Sequence, residues 1–157
     1  MIFVTVGTAR DFERLVKKAD ELGKKYKIVI QRGQTKYRPR NCKYFDFIID
    51  RDRFLRYIKM AEVVVTHAGV GTIINSLTER KPTVVVPRRK MFNEHKNDHQ
   101  MDIARELEKR KKIVACYDIK KLEEKILQAK RLKFDKYDGE KRRLEGSLKN
   151  FIHRCKK

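Results

Sequence analysis

Continuous runs of apolar residues alternate, along this 157-residue chain, with segments whose apolar residues recur every three or four positions. The continuous runs predict buried strands, and the three-to-four spacing predicts helices with one apolar face. The predicted strands are residues 2–6, 27–31, 44–49, 62–66, 83–86 and 112–116, and the predicted helices have apolar faces at 12–22, 54–61, 73–77, 101–107 and 119–129.

This alternation of strands and helices predicts an α/β fold, a Rossmann-like parallel sheet of about six strands with helices on both faces. The length fits one domain, which we assign to residues 1–130. The remaining residues, 131–157, begin with a basic stretch and have a last set of periodic apolar positions from Leu144 to Cys155. They predict a basic linker and a C-terminal helix over 138–157 that packs on the domain or docks a partner.

The chain is strongly positive. It has 41 Lys and Arg but only 21 Asp and Glu, which gives a net charge of +20. Such a field suits a nucleic acid, an anionic membrane face, or the charged surface of a heat-stable protein. Basic residues are spread over the whole chain, which favours a general surface property. No nucleic-acid motif and no basic–aromatic interleaving are present, so nucleic-acid binding is the weaker alternative.

The apolar runs are all far shorter than the ~20 residues of a membrane-spanning helix. The first residues form a strand pattern without the basic flank of a signal peptide. The three cysteines are scattered along the chain, which suits a reducing compartment. We therefore expect a cytoplasmic protein.

Ligands of parallel α/β sheets bind at the carboxyl ends of the strands, so the loops after the first, fourth and fifth strands are the candidate sites. The loop His67-Ala-Gly69-Val70-Gly71-Thr72 follows the fourth strand and opens a helix. Its glycines allow close approach of a ligand, and free N–H groups of a first helical turn attract an anion. The alternative is a plain strand–helix turn in which Thr72 caps the helix.

Two further loops would meet the same edge. Gly7 and Thr8 follow the first strand, and a polar run from Asn93 to Gln100 follows the fifth. Amide, imidazole and carboxylate groups suit a ligand with many hydroxyls, with Asp98 as a helix cap; a solvated loop is the alternative. His95 and His99 stand four residues apart, but no third ligand accompanies them, so no metal is expected.

Together these pieces resemble the glycosyltransferase family 28 C-terminal domain, which includes the small subunits of two-part UDP-N-acetylglucosamine transferases and their prokaryotic exopolysaccharide relatives. The matching residues are 1–8, Phe12, Leu15, Val16, Gln31, Gly33, 67–72, Lys81, Pro82, 84–88, Glu94, His95, His99 and Gln100. The resemblance spans roughly residues 1–117, in order and at compatible spacing.

The resemblance implies the C-terminal, donor-binding half of a GT-B glycosyltransferase. It implies a UDP-sugar donor, a lipid-diphosphate-linked acceptor, an inverting transfer without cofactor, and a membrane-anchored partner subunit that recruits the chain to an anionic cytoplasmic membrane face. The general base would lie on the partner, with His67 as an auxiliary group. A non-catalytic nucleotide-sugar-binding protein is an alternative.

Residue roles follow from the same resemblance. The donor-binding residues would be Gly7, Thr8, His67, Gly69, Val70, Gly71, Thr72, Asn75, Glu94, His99 and Gln100, and Phe47 and Ile48 would flank the uracil. The family usually has a glutamate at the position of Asn75, where a carboxylate accepts hydrogen bonds from both ribose hydroxyls. An amide has one accepting oxygen, so we expect weaker ribose recognition here.

Overall fold

The structure is a computed structural model that describes residues 1–8, 10–132 and 146. Its strands are β1 (Ile2–Thr5), β2 (Ile28–Gln31), β3 (Lys43–Phe45), β4 (Val63–Thr66), β5 (Thr83–Val85) and β6 (Val114–Ala115). Its helices are α1 (Glu13–Leu22), α2 (Arg51–Met60), α3 (Val70–Thr78), α4 (His99–Lys109) and α5 (Leu122–Arg131), with short 3-10 turns at Lys90–Phe92 and Ile119–Lys121.

The six strands form one parallel sheet in the order β3-β2-β1-β4-β5-β6. Side chains of a strand alternate between the two faces of a sheet. Ile2 and Val4 therefore pack under α1 and α5, while Phe3 packs on the other face against α2. The helices α3 and α4 cover the rest of that second face, around Ile73 and Ile103. The predicted fold class is confirmed.

Phe3 organises the core under α2. Its ring is fully buried and lies 5.3 Å from the Tyr57 ring and 5.8 Å from the Phe54 ring, measured between centroids. The Phe45 ring completes the cluster at 6.5 Å. Burying an aromatic side chain of this size contributes about 2–3 kcal/mol to folding, so this contact fixes α2 on the sheet.

The predicted third strand, 44–49, is wrong in extent, because β3 ends at Phe45. Asp46 interrupts the apolar run: its carboxylate pairs with Arg32 at 2.5 Å, and its carbonyl accepts the Gly33 N–H at 2.9 Å. The chain then leaves the sheet, and Asp50 caps α2 by accepting the backbone N–H groups of residues 52 and 53.

The connection from β2 to β3 is fastened to α1 by Asp20. This buried carboxylate accepts the Tyr37 hydroxyl at 2.8 Å and the backbone N–H groups of Arg40 and Asn41 at 3.0 and 2.7 Å. Burial alone would raise the pKa of Asp20, but these hydrogen bonds outweigh it and lower the pKa. The part of the loop that leads into the start of β3 is thereby held against the end of α1.

The last predicted helix, over 138–157, lies outside the described residues, apart from Gly146. Within the part of the chain that the structure describes, no helix has the length and hydrophobicity needed to cross a bilayer.

The helices α3 and α4 end in Schellman motifs without glycine. Arg80 and Lys111 occupy the left-handed position with φ of 54° each, and the backbone bonds Lys81 N–H to Ser76 C=O and Lys112 N–H to Leu107 C=O close the motifs at 2.9 and 3.0 Å. A side chain in this conformation costs about 1 kcal/mol relative to glycine. Both helix ends therefore carry local strain.

We predict that Lys111→Gly raises the free energy of unfolding by about 1 kcal/mol, because glycine adopts the left-handed conformation without strain. Denaturant unfolding measures the change. As a control, Lys109→Gly, in the last turn of α4, should lower the free energy by about 0.5–1 kcal/mol. A destabilised Lys111→Gly protein would contradict the prediction.

Candidate functional site

The pairing of β1 with β4 creates a crevice at the carboxyl edge of the sheet. Thr5 and Thr66 are register partners at the ends of these strands. The chain leaves β1 for α1 on one face and leaves β4 for α3 on the other. Where the strand order reverses in this way, the two loops separate and leave room for a ligand. The predicted residues Gly7, Thr8 and His67 lie in these two loops.

The first turn of α3 presents free backbone donors at this crevice. Gly69 occupies the N-cap position, and its N–H donates to the His67 carbonyl at 2.7 Å. The first bond of the helical ladder runs from Ile73 N–H to the Gly69 carbonyl at 3.2 Å. The N–H groups of Val70, Gly71 and Thr72 precede that bond and have no partner within the helix. They form, with the helix dipole, a site for an anion.

The capping role of Thr72 in the plain-turn alternative is wrong, because Thr72 lies inside the first turn of α3 rather than at its start. The cap position belongs to Gly69, and no side chain provides a capping hydrogen bond. The Thr72 carbonyl instead accepts the Ser76 hydroxyl one turn further along, at 3.0 Å. The N–H groups at the start of α3 therefore remain available to another acceptor.

The His67 imidazole is enclosed by the backbone of two glycines. A Cβ atom on Gly69 would lie 2.2 Å from its Nε2, and a Cβ on Gly7 would lie 2.7 Å from its Cε1. Gly7 also has a φ of +70°, which favours glycine. Both glycines are therefore required for the ring to fit between the β1 and β4 loops.

The imidazole is neutral at neutral pH. Burial lowers the pKa of His67 to about 4, and the nearby Arg88 guanidinium lowers it further, while a hydrogen bond to the Thr5 backbone opposes both. In the free protein, His67 is therefore a neutral hydrogen-bonding group beside the α3 amides rather than a positive charge.

Arg88 ties three segments of the site together. Its buried guanidinium donates to the Val6 carbonyl at 2.7 Å and the Arg10 carbonyl at 2.8 Å, and lies 5.1 Å from the centre of the Phe12 ring. Its backbone N–H donates to the Gln100 side-chain oxygen at 3.0 Å. The β1 loop, the β5 loop and the start of α4 are thus one hydrogen-bonded unit.

Glu94 braces the loop after β5. Its carboxylate forms a two-point ion pair with Arg14 of α1, at 2.8 and 2.9 Å, and accepts the Arg89 N–H at 3.0 Å. Only about 7% of Glu94 is exposed, so this bridge is shielded from solvent. In the free protein both carboxylate oxygens of this predicted sugar contact are occupied by the protein itself.

The prediction that the Asp98 side chain caps α4 is wrong. Asp98 stands at the N-cap position, but its carboxylate accepts the Lys90 N–H at 2.8 Å instead. The Lys90 N–H, eight residues before Asp98, takes this carboxylate from the α4 amides. The position of Asp98 next to the helix start therefore did not reveal the contact.

The other predicted residues are placed around this core. Gln100 is buried at the start of α4, and His99 beside it contacts the Asn97 side chain and lies 4.5 Å from the His95 ring. Asn75 lies on α3 one turn beyond Thr72. The described residues contain no cluster of three His, Cys, Asp or Glu side chains suited to a metal ion.

The two residues predicted for the uracil lie beyond β3 rather than at its end. Phe47 is about half exposed, whereas Ile48 is buried. They belong to the loop between β3 and α2. In the sheet, β2 lies between β3 and β1, so this loop does not follow a strand next to β1.

Sequence reasoning missed the two arginines that organise these loops. Arg14 and Arg88 stand among 41 basic residues, so composition gave no means of distinguishing them. For Arg88 the available signals are its place in the run 84–88 that carries the family resemblance and its position directly after a buried apolar strand and Pro87. A charged residue there must be paired or hydrogen-bonded if it is buried.

Comparison with known proteins gives a consistent result. The family model of the glycosyltransferase family 28 C-terminal domain matches residues 1–154. UDP-N-acetylglucosamine transferase subunit ALG13 of Mus musculus is 31% identical over 127 residues, 73% of this chain and 10% of the mouse protein. The Homo sapiens protein of that name is 30% identical over 128 residues, 73% of this chain and 11% of the human protein. The chain thus spans about a tenth of the length of these relatives.

Among solved structures, the glycotransferase of kitacinnamycin shares the fold. It superposes with a TM-score of 0.62 at 17% sequence identity, over 96% of this chain and 39% of that chain. The sheet and helices described above therefore correspond to well under half of that enzyme.

We predict a pH dependence of stability that arises from His67. Its pKa is about 4 in the folded protein and 6.5 in the unfolded chain, so the unfolded state binds more protons between these values. The stabilisation is complete above pH 6.5 and is lost as the pH falls towards 4, by up to ~1.4 kcal/mol per pH unit.

Denaturant unfolding of the wild-type protein and a His67→Asn variant between pH 4 and 8 measures this contribution. The variant should show a shallower loss of stability below pH 6.5, whatever its stability at pH 8. Equal slopes for wild type and His67→Asn would contradict the assignment.

Proposed function

The chain belongs to the glycosyltransferase family 28 C-terminal domain family, and from that premise we propose that it binds the UDP-sugar donor of a two-subunit inverting glycosyltransferase. The proposed donor is UDP-N-acetylglucosamine, and the proposed acceptor is a sugar linked to a lipid diphosphate. The relatives named as UDP-N-acetylglucosamine transferase subunits support this choice of sugar.

The observation that carries the proposal is the α3 N-terminus at the switch point of the sheet. Three backbone N–H groups, from Val70 to Thr72, point towards the crevice between β1 and β4. Such an arrangement suits a diphosphate, because each N–H can donate to a phosphate oxygen and the helix dipole adds to the attraction. In the proposed reaction the same groups stabilise the charge that develops on the departing UDP.

The neighbouring loops support a sugar beside that diphosphate. Gln100 and His99 begin α4 at the same edge, and Arg88 fixes the Gln100 side-chain oxygen. The remaining amide hydrogens of Gln100 and the His99 ring are the groups we propose to bind sugar hydroxyls. Because Glu94 is engaged by Arg14, we propose that Glu94 acts by holding this loop in place.

The acceptor half would come from another polypeptide. The described fold corresponds to 39% of a solved glycosyltransferase chain, and GT-B enzymes react in a cleft between two such halves. The proposed partner is a membrane-anchored subunit that supplies the acceptor site and the general base. His67, with a pKa of about 4, is a weak base and serves in this scheme to position the donor.

We predict that the purified chain binds UDP and that Gly71→Ala weakens this binding about tenfold. Helical Cβ atoms tilt towards the N-terminus, so the added methyl group points to the proposed diphosphate. In the free protein that methyl group meets no atom within 4 Å, and alanine favours the helix by up to about 1 kcal/mol. Calorimetry should therefore show weaker UDP binding by a protein of equal or higher thermal stability.

The same proteins distinguish the alternatives. Transfer to a lipid-diphosphate acceptor should require the partner subunit and should fall in the Gly71→Ala variant. Absence of UDP and UDP-sugar binding, even with the partner, would refute the proposal. UDP-sugar binding without transfer would indicate a non-catalytic binding protein. Salt-sensitive RNA or DNA binding that Gly71→Ala leaves unchanged would indicate a nucleic-acid-binding protein.

We also predict that Asn75→Glu tightens UDP binding several-fold. A carboxylate accepts hydrogen bonds from both ribose hydroxyls, whereas the amide of Asn75 offers one accepting oxygen. Titration with 2′,3′-dideoxy-UDP is the control, because the substitution should give no gain for a nucleotide without those hydroxyls. A gain of equal size for both nucleotides, or none for UDP, would contradict this role of position 75.

A further inference from the structure

The loop after β5 presents two apolar side chains to solvent at the edge of the sheet that carries the candidate donor site. They belong to the 3-10 turn Lys90–Phe92, which follows the buried residues Pro87 and Arg88. Met91 is 67% exposed and Phe92 is 45% exposed. We call Met91 and Phe92 the apolar tip.

The apolar tip is held rigidly. On one side, the Arg89 and Lys90 N–H groups donate to the carboxylates of Glu94 and Asp98 at 3.0 and 2.8 Å. On the other side, Asn93 adopts a left-handed conformation with φ of 56°, and its N–H donates to the Lys90 carbonyl at 2.8 Å. A loop anchored this firmly keeps its apolar side chains outside the core.

Phe92 is supported from below by two guanidinium groups. The Arg14 and Arg89 guanidinium carbons lie 4.7 and 5.5 Å from the centre of its ring. Such cation–π contacts hold the ring upright while one edge stays in solvent. Met91 is the more exposed of the two apolar side chains.

The surroundings of the apolar tip are basic. Residues 88–98 contain Arg88, Arg89, Lys90 and Lys96 against two acids, Glu94, which is paired with Arg14, and Asp98, which accepts the Lys90 N–H. Lysines beside an exposed apolar patch are typical of membrane-surface segments, whereas interfaces between proteins are depleted in lysine. The net charge of +20 adds a long-range attraction to any anionic surface.

We propose that the apolar tip inserts Met91 and Phe92 into the headgroup region of an anionic bilayer, with Lys90 and Lys96 on the lipid phosphates. This contact brings the loop after β5, at the margin of the candidate donor site, to the membrane surface. The contact goes beyond the proposed function, since vesicle binding needs neither a nucleotide sugar nor a partner subunit.

The chain has no tryptophan, so a single introduced tryptophan is a clean reporter. Met91→Trp is compared with Met60→Trp, a matched control on α2 whose native side chain is 68% exposed and which has Arg56 and Lys59 nearby. Each full-length protein is mixed with phosphatidylcholine vesicles with and without phosphatidylglycerol. We expect the emission of the Met91→Trp protein to shift to shorter wavelength only with the anionic vesicles and to be quenched by lipids brominated in their acyl chains.

Vesicle sedimentation with Met91→Asp and Met60→Asp gives a second readout. Both substitutions change the net charge equally, but only the first removes a side chain from the proposed contact. Met91→Asp should weaken partitioning about tenfold more than Met60→Asp. Equal emission shifts for the two tryptophan variants, equal partitioning of the two aspartate variants, or a shift of the Met91→Trp emission that requires a partner protein would each overturn the proposal.

Discussion

The parallel pairing of β1 with β4 is the constraint on which the rest of the site depends. Because this pair lies where the strand order reverses, the chain leaves the two strands towards opposite faces, and the space between the loops is not covered by either helix. The same pairing brings Gly7 against the His67 ring, so closely that a Cβ atom on Gly7 would lie 2.7 Å from Cε1. A strand order without this pair would separate Gly7 from His67.

Arg88 holds the loops around this crevice in a fixed arrangement. A buried charge is costly unless it is hydrogen-bonded, and this guanidinium uses two carbonyl groups rather than a carboxylate. One terminal nitrogen, Nη2, donates to the carbonyls of two separate residues, Val6 and Arg10. The ion pair of Arg14 with Glu94 serves the neighbouring loop in a similar way.

The sequence predicted the parts of this protein that follow from periodicity. Buried β-branched runs and three-to-four spacing yielded the parallel sheet, and the rule that such sheets bind ligands at their carboxyl edge identified the loops at Gly7 and His67. The run 44–49 misled, because apolar content alone does not show that Asp46 ends the strand. The roles of Arg14, Arg88 and Asp98 depend on partners far away in the sequence or across a loop, which no local pattern encodes.

The bonds of Arg88 and Glu94 also determine how this site opens. Loops on many α/β proteins exchange their amide hydrogens through small local fluctuations, independently of the core. Here the β1 and β5 loops are hydrogen-bonded to buried groups, so we expect their amides to exchange together with those of the sheet. Access to the crevice should then depend on whatever faces it, such as a second domain or a surface, more than on the opening of these loops.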